Sequence, residues 1–501
     1  MARSERSSLV MMVCTFISRF LGIFKARAIS TVFGAGYITD AINFSYNLPN
    51  NARKLFAEGA FTTAYLPAFA RCSEDVERSQ RLSSIIITFQ LSIFLPLILL
   101  ISLYSEKITR VLSSFSSEEQ IQIAARLLPF FTLFLVFISL SSIFASLLQA
   151  RARFLAASAS PIAFTLAVII SVFSLGPGLG YMAMAIGAVT GSLMQLLVCY
   201  VAIRRRGLRF RLDFHFRDQD FLKVLSDFAP ATINSMILVV SQQITLFIAS
   251  GLAVGSISAY SNSIIFYQTP YGIFFASIAG VYFPAFANAR SREEKQKSLL
   301  EAFSYLFTFL LPSALLLLVF GRECIAVLLQ SGQFTYENTL LTYSVLIFYL
   351  IAMIPQSFTG ILQRFLQAEG RYWTTVSVSL LSTIIDILAT LFFIKSGDGP
   401  EALSKALVVS SSASLAIYLV LVHFRYLYRL VLSLLKLSLL NLPLLVYLLL
   451  YMKFQNGWWR SGSSFRNLFY LAAFASPACL IVLVTYIVFR VPFLAALIGR
   501  R

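Results

Sequence analysis

Charge is scarce in this chain. Asp, Glu, Lys and Arg make up 12% of its 501 residues, against 58% hydrophobic. A soluble domain carries about 25% charged residues, so this composition cannot build a water-facing shell. Histidine is scarcer still. His215 and His423 lie far apart, near the ends of apolar stretches, and leave no ligand set for a metal hydrolase. Cys14, Cys72, Cys199, Cys324 and Cys479 are scattered, with neither zinc-site spacing nor a disulfide framework. Acid is the rarer sign: 22 Asp and Glu stand against 40 Lys and Arg, a formal net charge of +18. That excess is what basic cytoplasmic loops of a membrane protein produce, and no nucleic-acid partner is expected from it. The N-terminal apolar stretch is long, carries charges and lacks a small-residue cleavage site, so it does not read as a cleavable signal.

What the chain has in abundance is long apolar runs. A membrane span needs about 20 apolar residues. About fourteen helices are expected, over 8–33, 37–69, 83–105, 121–149, 158–177, 180–203, 221–250, 255–288, 299–320, 336–367, 371–395, 402–424, 431–452 and 467–489. The runs are continuous rather than alternating, which excludes a β-barrel. The fold class is an all-α polytopic membrane protein. Basic clusters follow every second helix: Arg71, Arg78 and Arg81; Arg151 and Arg153; Arg204 to Arg211; Arg290 to Lys297; Arg425 and Arg429. This predicts an even number of spans with both termini in the cytoplasm.

An internal repeat divides the chain. Tyr65-Leu66-Pro67-Ala68-Phe69-Ala70 returns as Tyr282-Phe283-Pro284-Ala285-Phe286-Ala287, and Gly34-Ala35-Gly36 is mirrored by glycines at 251 and 255. Six helices separate the copies, so the halves keep one orientation, as in parallel-repeat transporters. The expected organisation is an N-terminal lobe over 1–205, a basic linker over 206–220, a C-terminal lobe over 221–428 and two appended helices over 429–501. The linker, with Phe210, Phe214 and Phe216 among its arginines, reads either as a topology-setting loop or as a strip lying on anionic lipid.

The first two spans are interrupted by Arg19, Lys25 and Arg27, then by Asp40, Arg53, Lys54 and Glu58. A charge at the bilayer centre costs roughly 2.5–3.5 kcal/mol on insertion scales. Such residues line wet cavities, pair with each other or hold something of opposite charge. Pro49 removes a hydrogen bond inside the second span, and Lys54 and Glu58 stand one helical turn apart. Asp40 follows the glycine turn, where it reads as a gating carboxylate or as a helix cap.

Several of these segments resemble the MurJ (MviN) family of lipid II flippases, in the MOP transporter superfamily. They are Ser18-Arg19-Phe20-Leu21-Gly22, Phe33-Gly34-Ala35-Gly36, Thr39-Asp40-Ala41, Leu48-Pro49-Asn50 and Phe56-Ala57-Glu58-Gly59-Ala60-Phe61. Leu328-Leu329-Gln330-Ser331-Gly332-Gln333-Phe334-Thr335 resembles a further family element before the tenth helix. The resemblance implies movement of an undecaprenyl-pyrophosphate-linked peptidoglycan precursor from the inner to the outer leaflet of the bacterial cytoplasmic membrane, by alternating access. It implies substrate binding by Arg19, Lys25, Asn50, Arg53 and Glu58, gating by Gly34, Gly36, Pro49 and Asp40, and a lipid-tail groove at the last two helices. It implies a transporter rather than an enzyme, a monomer, and contact with cell-wall synthesis proteins.

Two departures stand out. Where the family carries a cavity arginine in the eighth helix, this chain has Ile265. Where it carries an acid in the seventh, this chain has Thr245. No cofactor is expected. Sodium coupling through Asp386, Ser382 and Thr245, or proton coupling, remains open beside a plain structural role for Asp386. The rival functions are another exporter of the superfamily, such as a lipid-linked oligosaccharide flippase or a drug or cation antiporter, a membrane enzyme, and a non-transporting scaffold. An antiporter calls for carboxylates where this chain has cations.

Overall fold

The computed structural model describes residues 2–56, 65, 68, 69, 72, 75–151, 153–205, 207, 210–459 and 464–489. Fifteen α-helices fall within them. The first six are α1 (Ala2–Phe33), α2 (Tyr37–Phe56), α3 (Val76–Leu112), α4 (Glu118–Ala150), α5 (Phe154–Leu179) and α6 (Met182–Arg204). Next come α7 (Gln219–Ser250), α8 (Ser256–Asn288), α9 (Arg292–Leu329), α10 (Tyr336–Ala368), α11 (Tyr372–Lys395) and α12 (Glu401–Val422). The last three are α13 (Leu427–Leu440), α14 (Leu442–Phe454) and α15 (Ser464–Val488). No strand is assigned among the described residues.

Ten of these helices are long and apolar enough to cross a membrane, and α13 with α14 makes an eleventh, bent by 47°. The protein is therefore a multi-pass membrane protein. Among the described residues α2 is too polar to count by composition, with Asn43, Asn47, Asn50 and Asn51 besides its charges. Taken as spans, α1, α2 and α7 with these eleven give the expected fourteen.

The helix starts follow local chemistry. Asp75, Asp218, Ser291 and Thr335 each accept a backbone N–H of the first turn they precede, in α3, α7, α9 and α10. At 38 residues α9 is the longest. At 1.5 Å per residue it reaches about 57 Å, well beyond a hydrocarbon core of about 30 Å.

The chain forms two compact units. The first comprises Met1–Ser258 with Gly332–Phe334, and the second Ala259–Ser331 with Thr335–Arg501. The division falls after Ser258 and not at the linker, because α7 packs on α2 and α3. Polar matching holds it there. Lys54 Nζ donates to Gln242 Oε1 at 2.6 Å, and the Arg78 guanidinium makes two bonds to the Asp220 carboxylate, at 2.6 and 2.7 Å. Phe221 joins the apolar core of this unit.

The linker runs along α3. The Asp213 N–H donates to Thr88 Oγ1 at 2.8 Å, and the Arg211 N–H to Ser84 Oγ at 3.3 Å. Phe210 and Phe216 pack against the core, while Phe214 is 65% exposed. Two of the three linker aromatics therefore serve the first unit's interior rather than a lipid-facing strip.

In the second unit α13, α14 and α15 pack on α9. Asn441 and Pro443 set the bend between α13 and α14. Asn441 Nδ2 donates to the Leu437 carbonyl at 2.8 Å and to Tyr486 Oη at 3.0 Å. Tyr486 Oη in turn donates to the Thr308 carbonyl at 2.8 Å. A carbonyl released by the break thus gains a side-chain donor.

The repeat is visible in local geometry. Tyr65 and Phe69 stack at 5.7 Å, and Tyr282 and Phe286 meet at 6.2 Å. A second pair of matching segments is Leu148-Gln149-Ala150 in α4 and Leu366-Gln367-Ala368 in α10. Both helices close alike: the Arg153 N–H donates to the Leu148 carbonyl at 2.8 Å, and the Arg371 N–H to the Leu366 carbonyl at 2.9 Å. This is the six-to-one bond of a Schellman cap.

Candidate functional site

The first unit encloses a cavity of about 610 Å³ between α1, α2, α4, α5 and α6. Arg19, Lys25 and Arg53 all line it. Each arrives by a different local route. Arg53 Nε donates to Asn50 Oδ1 at 3.0 Å, one turn earlier on α2, so Asn50 orients the guanidinium. Lys25 Nζ lies 5.6 Å from the ring centres of both Tyr46 and Phe164, within cation–π range. Arg19 is exposed at the cavity wall. Arg27, two residues beyond Lys25, does not line the cavity.

Among the described lining residues the charged ones are the cations Arg19, Lys25 and Arg53. At an effective dielectric of about 20, one unit pair 5 Å apart is worth about 3 kcal/mol. A multiply charged anion meeting all three cations gains from each. Neutral polar groups fill out the wall, among them Ser141, Ser142, Ser146 and Gln149 from α4, Ser158, Ser160 and Thr165 from α5, and Gln195 from α6. Such groups hydrogen-bond sugar hydroxyls and amides without competing for the cations. Sequence reading missed this wall, because single serines in apolar helices resemble ordinary packing residues. Its signal is the run Ser139-Leu140-Ser141-Ser142 with Ser146 a turn later.

Asp40 lies outside the cavity. It is 3% exposed and accepts three hydrogen bonds. The Gly255 N–H lies 2.6 Å from Oδ2, and the Ser258 N–H and hydroxyl lie 2.8 and 2.6 Å from Oδ1. The carboxylate of α2 thus caps the first turn of α8, and no cation is needed to hold it. Thr39 makes the local turn instead, donating to the Phe33 and Gly34 carbonyls.

The glycine turn has two distinct members. Gly34 has φ +68°, and a Cβ there would lie 2.7 Å from the Gln333 carbonyl oxygen. Gly36 has open space around it. Across the same contact, Gly332 has φ +57°, and its Cβ would lie 2.2 Å from the Thr31 carbonyl oxygen. The Gln333 N–H donates to that oxygen at 3.1 Å, and Phe334 is buried. Gly332 and Gln333 are therefore docked on the C-terminal end of α1 by their backbone. Pro49 is buried within α2.

Glu58 lies outside the described residues, so its relation to Lys54 does too. Lys54 Nζ also bonds Asn51 Oδ1, at 3.2 Å. In the second unit Asp386 accepts from Ser410 Oγ on α12 at 2.8 Å. Ser382 is half-buried on the same helix as Asp386. Thr245 Oγ1 bonds the Ser241 carbonyl of its own helix at 3.0 Å. No cluster of three His, Cys, Asp or Glu residues occurs among the described residues. Ile265 is half-buried on α8. A cation from α10, Arg364, approaches α8 within this unit, with its guanidinium 5.9 Å from the Phe283 ring centre.

Comparison with known proteins is consistent across sequence and fold. Residues 29–470 match the family described as "Lipid II flippase MurJ". A Borreliella burgdorferi protein named "Probable lipid II flippase MurJ" is 30% identical over 506 residues, covering 99% of this chain and 98% of that protein. A solved structure described as "Lipid II flippase MurJ, inward closed conformation" superposes with a TM-score of 0.79 at 24% identity, covering 98% of this chain and 100% of its own. A multidrug resistance MATE family transporter of the MOP superfamily, solved inward-facing, has the same fold at a TM-score of 0.67 and 11% identity. It covers 85% of this chain and 98% of its own.

Proposed function

We propose, since the chain belongs to the lipid II flippase MurJ family, that it moves lipid II from the inner to the outer leaflet of the cytoplasmic membrane. The observation that carries this reading is the first-unit cavity, with Arg19, Lys25 and Arg53 together in its wall. The pyrophosphate is the part of lipid II that needs such a wall. Two guanidinium forks match phosphate oxygens, and Lys25 adds a compact charge. The serine, threonine and glutamine wall receives the sugar and peptide. The polyprenyl tail stays in lipid along the apolar faces of α13–α15, where Leu435, Leu439, Leu449, Leu468 and Leu480 are exposed. Both termini lie in the cytoplasm on this reading, as the alternation of basic loops predicts.

Transport proceeds by alternating access. In that cycle Asp40, through its bonds to Gly255 and Ser258, is the gating carboxylate. Asp386 with Ser410 is the candidate ion-responsive pair, for sodium or a proton.

The test is complementation of a bacterium depleted of its own lipid II flippase. Arg53→Ala and Arg19→Ala are each expected to abolish growth while the protein stays at normal membrane levels. Full growth of both variants would overturn the cationic-cavity mechanism. For coupling, sodium is expected to raise the thermal midpoint of the parent protein and not of Asp386→Asn. An unmoved parent midpoint excludes sodium at that pair.

A further inference from the structure

A second basic cavity, in the second unit, has no part in the function above. It measures about 340 Å³ and lies where the turn into α9 meets the turn from α10 to α11. Arg290, Arg292, Lys295 and Arg371 line it, with Glu369 as the one carboxylate among the described lining residues, so their charge is +3.

The neighbouring acids are engaged elsewhere. Glu294 is taken up at the start of α9: Ser291 Oγ caps the helix by accepting from the Glu294 N–H at 3.1 Å, and Glu294 Oε2 accepts from the Arg290 N–H at 2.9 Å. Glu293 pairs with Lys297 at 2.8 Å. Among the described residues none of the four lining cations is in an ion pair with a carboxylate. Arg292 and Arg371 are instead steadied by backbone, one N–H each donating to the Val422 and Leu421 carbonyls at 3.2 and 3.3 Å. A guanidinium has five donors, so each keeps others for a ligand.

The helix ends add to the field. α9 starts at Arg292, and α11 starts directly after Arg371 without a side-chain cap. Both N-termini carry positive partial charge toward this turn region. The site's depth is marked by Tyr372 and Trp373, 59% and 73% exposed immediately after Arg371. Exposed Tyr and Trp at a helix end mark the headgroup level of a bilayer.

We propose that this cavity is a binding site for the phosphate of an anionic phospholipid headgroup in the cytoplasmic leaflet, the side assignment resting on the topology proposed above. The aromatic pair favours a lipid over a soluble phosphate, because it holds the cavity at the membrane surface.

The experiment measures the thermal midpoint of the full-length protein in neutral detergent. Additions are phosphatidylglycerol, phosphatidylcholine or inorganic phosphate. Phosphatidylglycerol is expected to raise the parent midpoint in a saturable way, and the other two to leave it unchanged. The Lys295→Gln/Arg371→Gln double variant is expected to need at least tenfold more phosphatidylglycerol for half the effect. Arg290→Gln, an exposed change without a folding role, is expected to need about fivefold more, near the value of one cation at a membrane surface. Unchanged dependence on phosphatidylglycerol in Arg290→Gln and in a folded double variant overturns the site. An equal shift with inorganic phosphate overturns the lipid assignment. Loss of lipid response here with intact complementation separates this site from the cavity of Arg19 and Arg53.

Discussion

Replacing Asp40 by alanine tests how the start of α8 is held. The carboxylate accepts two backbone N–H groups and one hydroxyl at 2.6–2.8 Å, in a site 3% exposed. Hydrogen bonds to a charged group are worth about 1.5–3 kcal/mol each, and a buried donor left unpaired costs about 1–3 kcal/mol. These terms overlap, and relief from burying a carboxylate offsets part of them. A net loss of about 3 kcal/mol follows, equivalent to roughly 100-fold more opening of the segment. The assay is hydrogen–deuterium exchange at the Gly255 and Ser258 amides. Asp40→Ala is expected to speed exchange there about 100-fold, with α4 to α6 unaffected. Asp40→Asn keeps one acceptor oxygen but turns an NH₂ toward a donor, so about tenfold is expected. Ser258→Ala removes only the hydroxyl, and a severalfold change is expected. Exchange within threefold of the parent in a folded Asp40→Ala protein would refute the capping argument.

Further outcomes follow from the same packing. Gly332→Ala places a methyl 2.2 Å from the Thr31 carbonyl oxygen on a left-handed backbone. It is expected to lower the thermal midpoint sharply, whereas Gly36→Ala, with open space around it, is expected to move it little. Asn441→Leu strips the α13–α14 bend of its donor to the Leu437 carbonyl, at a cost of about 1–3 kcal/mol. Tyr486→Phe is expected to reproduce much of that loss, and additive effects of the two would argue against a shared clamp. Asn50→Ala removes the acceptor that orients Arg53. Complementation is expected to weaken without being lost, and Asn50→Asp to restore it less well than the parent residue by adding a carboxylate to the wall.

The sequence by itself determined the class of this protein. Fourteen apolar runs in water have no stable alternative to membrane helices, since only helices satisfy every backbone group within one segment. It also marked Arg19, Lys25 and Arg53, because a charge inside such a run is costly enough to need a purpose. The basic loops and the repeat around Tyr65 and Tyr282 are likewise written in residue order.

Tertiary structure alone decided which polar groups meet. Asp40 finds its partners more than 200 positions away, at Gly255 and Ser258, and no local pattern distinguishes that from a cap of its own helix. The neutral cavity wall needs three helices to bring its serines, threonine and glutamines together, and each alone resembles packing. The compact first unit extends to α7 because Lys54 and Arg78 have their partners on that helix. Burial energies and helical period act along one segment at a time. Hydrogen-bond and charge partners are chosen between segments, and there the chain's path in space decides.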